Sequence, residues 1–94
     1  MSTNSQTTAK LDAYLQKALA EKRPDLLRVM VRIAQRDGAD ARVRALLTER
    51  GRSVVSVLSG GRVLVTVVAV GDLEPLAASD DVERISFDAV VKTQ

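Results

Sequence analysis

Few residues in this chain are of a type and spacing that could do chemistry. Asp80-Asp81-Val82-Glu83 places three carboxylates in four positions. It lacks the glycine and the spaced oxygen ligands of a calcium loop, and so reads as an acidic turn, not a cation site. Ser59-Gly60-Gly61 is too short for a phosphate loop, and it joins strand to strand, not strand to helix. The 94 residues contain no cysteine and no histidine. That excludes disulfides, thiol nucleophiles, zinc fingers and histidine acid–base work. No carboxylates pair on an evident face of a pocket-forming segment, so no catalytic, metal or cofactor site is expected.

The remaining candidate is a surface. In Leu27–Ile33, Leu27, Val29, Val31 and Ile33 alternate with Arg28, Met30 and Arg32. Period two with β-branched residues predicts a half-buried strand whose open side is basic, with a methionine between two arginines. An open sheet face can bind RNA by stacking bases on aromatic side chains. Tyr14 and Phe87 are the only aromatics, and neither lies on the central strands, which argues against nucleic acid. An apolar centre rimmed by arginines suits a protein interface. No apolar run approaches the ~18 residues of a membrane helix, so no membrane partner is expected.

One core must position that surface, because a chain of this size supports only one. Leu11, Tyr14, Leu15, Ala18 and Leu19 follow the helical period. They predict a first helix from about Ala9 to Lys22, with Thr8 as cap and Pro24 as stop. Ala39, Val43, Leu46 and Leu47 predict a second helix, ended by Gly51 in the left-handed region. Arg52–Leu58 and Arg62–Val70 read as a hairpin joined by Ser59-Gly60-Gly61. The second run is apolar on both alternations, as a central strand is. Asp72 is expected to cap a short helix carrying Leu73, Leu76 and Ala77 inward. Val82–Asp88 is the last strand, with Ile85 inward. The order predicts an α+β, ferredoxin-like βαββαβ sandwich: a four-stranded antiparallel sheet with two helices on one face, preceded by an extra N-terminal helix.

The sequence thus divides into a disordered tail (1–8), an N-terminal helix (9–23), the sandwich (24–88) and an extended C-terminal tail (89–94). Whether the first helix folds across the open face is left undecided by its pattern. Charge is segregated: residues 1–62 carry 12 basic and 6 acidic groups, and residues 63–94 carry 2 and 6. Segregation in sequence does not ensure segregation in the fold. No secretory signal is evident, so the expected location is cytoplasmic if Met1 is the native start, and otherwise export as part of a precursor.

The segment Leu73-Glu-Pro-Leu-Ala-Ala-Ser-Asp-Asp-Val-Glu-Arg-Ile-Ser-Phe-Asp88 resembles the end of the propeptides of subtilisin-like serine proteases. In these, a helix of the form leucine, two residues, leucine leads through an acidic turn. Valine, two residues, an aliphatic residue and an aspartate follow. Leu27–Ile33, Ala39–Arg50 and Gly51 leading into the hairpin are similar too, so the likeness spans about residues 26–94. It implies a non-catalytic ferredoxin-like inhibitor, and folding aid, of a subtilisin-like protease. The open face (Arg28, Met30, Arg32) would pack on two helices of the enzyme, and Asp88 would accept hydrogen bonds from a helix N-terminus. The tail Val91, Lys92, Thr93 and Gln94 would lie in the active-site cleft as a product does. Gln94 would fill the primary specificity pocket, Val91 an apolar pocket three residues upstream, and Lys92 would point outward. Ser86 and Phe87 stand where the family carries further acidic residues. The alternative is a structural or adaptor module that self-associates, or binds another protein, through its sheet.

Overall fold

The computed structural model describes residues 9–92, the side chain of Lys92 excepted. The tail 1–8 with its cap Thr8, and Thr93 and Gln94, lie outside the described residues. Alternation places β1 (Leu26–Ile33) at the centre of a four-stranded sheet, hydrogen-bonded on both edges. β3 (Val63–Ala69) and β4 (Val82–Lys92) flank it antiparallel, and β2 (Val54–Leu58) pairs antiparallel with β3. The order is therefore β2-β3-β1-β4. The helices α2 (Ala39–Glu49) and α3 (Leu73–Ala78) make the two crossovers, and the fold is the ferredoxin-like sandwich.

Register assigns the faces. Leu27, Val29 and Val31 stand opposite Val68, Thr66 and Leu64 on one side and Val90, Phe87 and Ile85 on the other. This side meets Val43 and Leu47 of α2 and Leu73, Leu76 and Ala77 of α3 in one core. Thr66 is the polar exception, and its hydroxyl donates to the Ser53 carbonyl at 2.7 Å. A buried hydroxyl is tolerable only when it is bonded in this way.

The first helix differs from expectation. α1 runs Ala13–Ala20, not from Ala9, because Asp12 is its N-cap and accepts the Leu15 N–H at 2.9 Å. The preceding Lys10–Asp12 is extended along the outer edge of β4. There the Ile85 N–H donates to the Lys10 carbonyl (2.8 Å) and the Asp12 N–H to the Ile85 carbonyl (3.3 Å). Leu11, Leu15 and Ala18 enter the same core as Ile85, and Tyr14 stacks on Phe87 with ring centroids 3.8 Å apart. The helix therefore lies on the side of α2 and α3. The helix ends as Pro24 predicts: the Arg23 N–H returns to the Ala18 carbonyl and the Lys22 N–H to that of Leu19. Arg52 and Gly51 close α2 in the same way, onto Leu47 and Thr48, with Gly51 at φ +73°.

Two further elements depart from the sequence reading. β2 begins at Val54, not Arg52, because the Arg52 N–H is engaged in ending α2. Asp72 is not the side-chain cap of α3. Its buried carboxylate accepts the Ala69 N–H (2.9 Å), Arg50 Nε and Arg52 Nε (2.7 Å), tying the end of α2 to the turn Val70–Asp72. Burial alone would raise the Asp72 pKa. The Arg50, Ala69 and Arg52 hydrogen bonds outweigh it and hold the group below the usual carboxylate range.

Leu15→Ala removes a fully buried leucine from the contact between α1 and the sheet. It is expected to lower unfolding stability by about 2–4 kcal/mol in denaturant titration. A depressed folded-state pKa stabilises above the unfolded value near 3.8. That contribution is lost as pH falls through the folded value. The stability profile should therefore drop below about pH 4. Asp72→Ala should flatten that drop and cost roughly 2–4 kcal/mol at neutral pH, because it leaves Arg50 and Arg52 without their shared carboxylate.

Candidate functional site: the helix-free sheet face

The alternate register defines the second face. Arg28, Met30 and Arg32 of β1 stand opposite Val67, Val65 and Val63 of β3, and opposite Ala89, Ser86 and Arg84 of β4. From β2, Ser56 and Leu58 pair with Val65 and Val63. Val63 and Val65 are nearly buried yet belong to no part of the core cluster. They are short side chains whose cross-strand neighbours, Arg32 and Met30, are long enough to shield them. Among the described residues no helix packs on this face. The predicted Arg28, Met30 and Arg32 are thus brought together on a surface whose centre is apolar and whose β4 side is basic.

Charges from the two halves of the sequence recombine. Arg42 grips Asp81 with two bonds (Nε 2.7 Å, Nη2 2.9 Å), and Arg62 lies 4.0 Å from Glu83. The fork from Arg42 holds the Asp81 carboxyl below its usual range, and the arginine in turn is raised. Asp80–Asp81 is therefore a turn anchored to α2, Val82 and Glu83 begin β4, and among the described residues no three carboxylates converge. Arg32 and Arg84 differ: they are neighbours across β1 and β4 on the open face, and neither forms an ion pair among the described residues. The sequence had flagged Arg32 but not Arg84, because only pairing reveals that the two are adjacent.

β4 carries a larger correction. The strand does not stop at Asp88 but runs to Lys92, where Ala89, Val90 and Lys92 pair with Arg28, Leu27 and Leu26. Residues 89–92 are sheet, not free tail, because Leu26 and Leu27 extend β1 far enough to pair with them. The pairing is irregular. Asp88 and Val91 are each the extra residue of a bulge, and Glu83 is a third. Bulges re-aim side chains. Asp88 turns to the open side and accepts from Arg28 Nε at 2.6 Å, both groups being partly exposed. Val91 is exposed, and Thr93 and Gln94 lie outside the described residues.

On the helix side, a cleft of about 450 Å³ opens between the end of α1 and the start of α3, lined by Leu19, Lys22, Arg23, Val70, Gly71 and Glu74. Arg23 is engaged by Asp25 at 3.0 Å and sits over the Tyr14 ring, so the cleft offers no converging reactive groups. An exposed ion pair such as Arg28–Asp88 contributes little. Asp88→Ala should therefore leave the thermal midpoint nearly unchanged, by under about 1 kcal/mol in stability, which separates any effect on binding from an effect on folding. No protein-family model, no curated protein and no solved structure matches the chain.

Proposed function

We propose that this is a non-catalytic domain that binds a protein through its helix-free sheet face, and that the partner is a subtilisin-like serine protease which it inhibits and helps to fold. The observation that carries the reading is the composition of that face: Met30, Val63, Val65 and Val67 at the centre, with Arg28, Arg32 and Arg84 toward β4 and no helix packed on it among the described residues. The placement of α1 against the opposite side supports it, since a helix folded across Met30 would have closed the surface. The propeptide-like segment Leu73–Asp88 supplies the identity of the partner.

Arg32 and Arg84 refine the partner's chemistry. Two guanidinium groups directly across a strand pair, without an ion-pair partner among the described residues, repel each other, and a carboxylate placed between them relieves that cost. The partner surface therefore presents an acidic residue at this edge of an apolar patch. Asp88 exchanges Arg28 for the free N–H groups of a partner helix. The terminal segment enters the cleft only after Ala89–Lys92 leaves β1, and the two bulges at Asp88 and Val91 weaken the ladder it must break. The docked face then holds the released strand at high local concentration.

The test is inhibition of a subtilisin-like protease by the intact chain. Potent, slowly reversible inhibition is expected. Arg32→Glu should weaken it roughly tenfold or more without loss of folding. Deletion of Lys92–Gln94 should also reduce potency. Unchanged potency after the deletion would remove the tail from the mechanism and leave the face, whereas no inhibition by the intact chain would overturn the reading.

A further inference from the structure

The centre of the helix-free face holds the only sulfur among the described residues. The chain has two methionines and no cysteine, and Met1 lies outside the described residues. Alternation leaves Met30 half-buried between the exposed Arg28 and Arg32, whereas Val29 and Val31 on either side of it are fully buried on the other face. Across the strands Met30 faces Val65 and Ser86, and it belongs to no part of the core cluster. A thioether in this position is open to solutes, and its chemistry can change without emptying or overfilling the core.

We infer that Met30 is a reversible oxidation site whose sulfoxide switches off docking on this face, given the reading of that face as the protein-binding surface. The oxidant is a hydroperoxide. The sulfur lone pair attacks one peroxide oxygen, the S–O bond forms as the O–O bond breaks, and sulfur gives up two electrons. The proton on the transferred oxygen passes to the departing one, which leaves as water or, from an organic hydroperoxide, as an alcohol. A sulfoxide reductase fed by a dithiol reverses the step: sulfur regains two electrons, the dithiol becomes a disulfide, and the oxygen leaves as water. The oxidised side chain carries a strong hydrogen-bond acceptor where docking needs an apolar surface, and burying that oxygen without a donor opposes association. Donors stand nearby. Arg28 and Arg32 are the next side chains along the same face, and Arg32 has no ion-pair partner among the described residues. A sulfoxide that draws in Arg32 withdraws that guanidinium from the partner's carboxylate. One oxygen atom therefore acts on the apolar centre and on its basic border together.

The full chain, oxidised with hydrogen peroxide and then freed of it with catalase, tests this through its inhibition of a subtilisin-like protease. Mass spectrometry of the tryptic peptide Val29–Arg32 should show the gain of one oxygen, with circular dichroism and thermal midpoint nearly unchanged. Inhibition should weaken by roughly tenfold or more, and should return after treatment with methionine sulfoxide reductases and dithiothreitol. Met30→Leu keeps an apolar side chain without sulfur, so its potency, whatever its starting value, should be the same before and after peroxide. That variant also accounts for oxidation at Met1. Undiminished potency of the Met30 sulfoxide, or peroxide sensitivity that persists in Met30→Leu, would overturn the switch and leave the docking face in place. Unfolding on oxidation would overturn it too, since the lost inhibition would then belong to the core. An unmodified chain that inhibits nothing would overturn the docking reading, and the switch with it.

Discussion

The structure depends on β1 being hydrogen-bonded along both edges. A strand so placed cannot leave the sheet's centre, and its period of two then obliges the sheet to have two unlike faces. Leu27, Val29, Val31 and Ile33 point to the helices, so Arg28, Met30 and Arg32 must share the other side. A slip of one residue would bury the arginines and expose the core, and that cost fixes the register with β3 and β4 alike. The composition of the helix-free face is thus a consequence of folding, not an addition to it.

Electrostatics then separates structural cations from available ones. Asp72 collects Arg50 and Arg52, Asp81 collects Arg42, and Asp88 meets Arg28. These contacts tie the basic first part of the chain to the acidic last part and dissolve the dipole that the sequence suggests. Arg32 and Arg84 are left side by side on the sheet. Their residual charge marks one border of an apolar patch, while β2 supplies a neutral border.

Much of the fold was legible from periodicity. The alternation of Leu27–Ile33, the helix Ala39–Glu49 with Gly51 beyond it, and the hairpin at Ser59-Gly60-Gly61 are local signals that tertiary contacts do not override. The misreadings fall where long-range pairing competes with local preference. Leu11 fits the helical period, yet the backbone groups on either side of it, the Lys10 carbonyl and the Asp12 N–H, are taken by Ile85 far along the chain. Asp72 has the position of a cap, yet two arginines outbid the helix end for its carboxylate. Ala89–Lys92 has no strand signature of its own and is strand because Leu26 and Leu27 offer an edge. Of the candidate surface, Arg28, Met30 and Arg32 could be read from the sequence. Arg84 could not, since its place beside Arg32 is set by the long-range register of β4 on β1.

The account stands or falls on which surface a protease touches. Methyl resonances of a valine- and methionine-labelled domain, followed during titration with an inactivated subtilisin-like protease, report this directly. The account predicts that Met30, Val63, Val65 and Val67 shift or broaden together, while Val29, Val31 and Val43 in the core hold their positions. Saturating enzyme that leaves Met30 and the three β3 valines unmoved would contradict it.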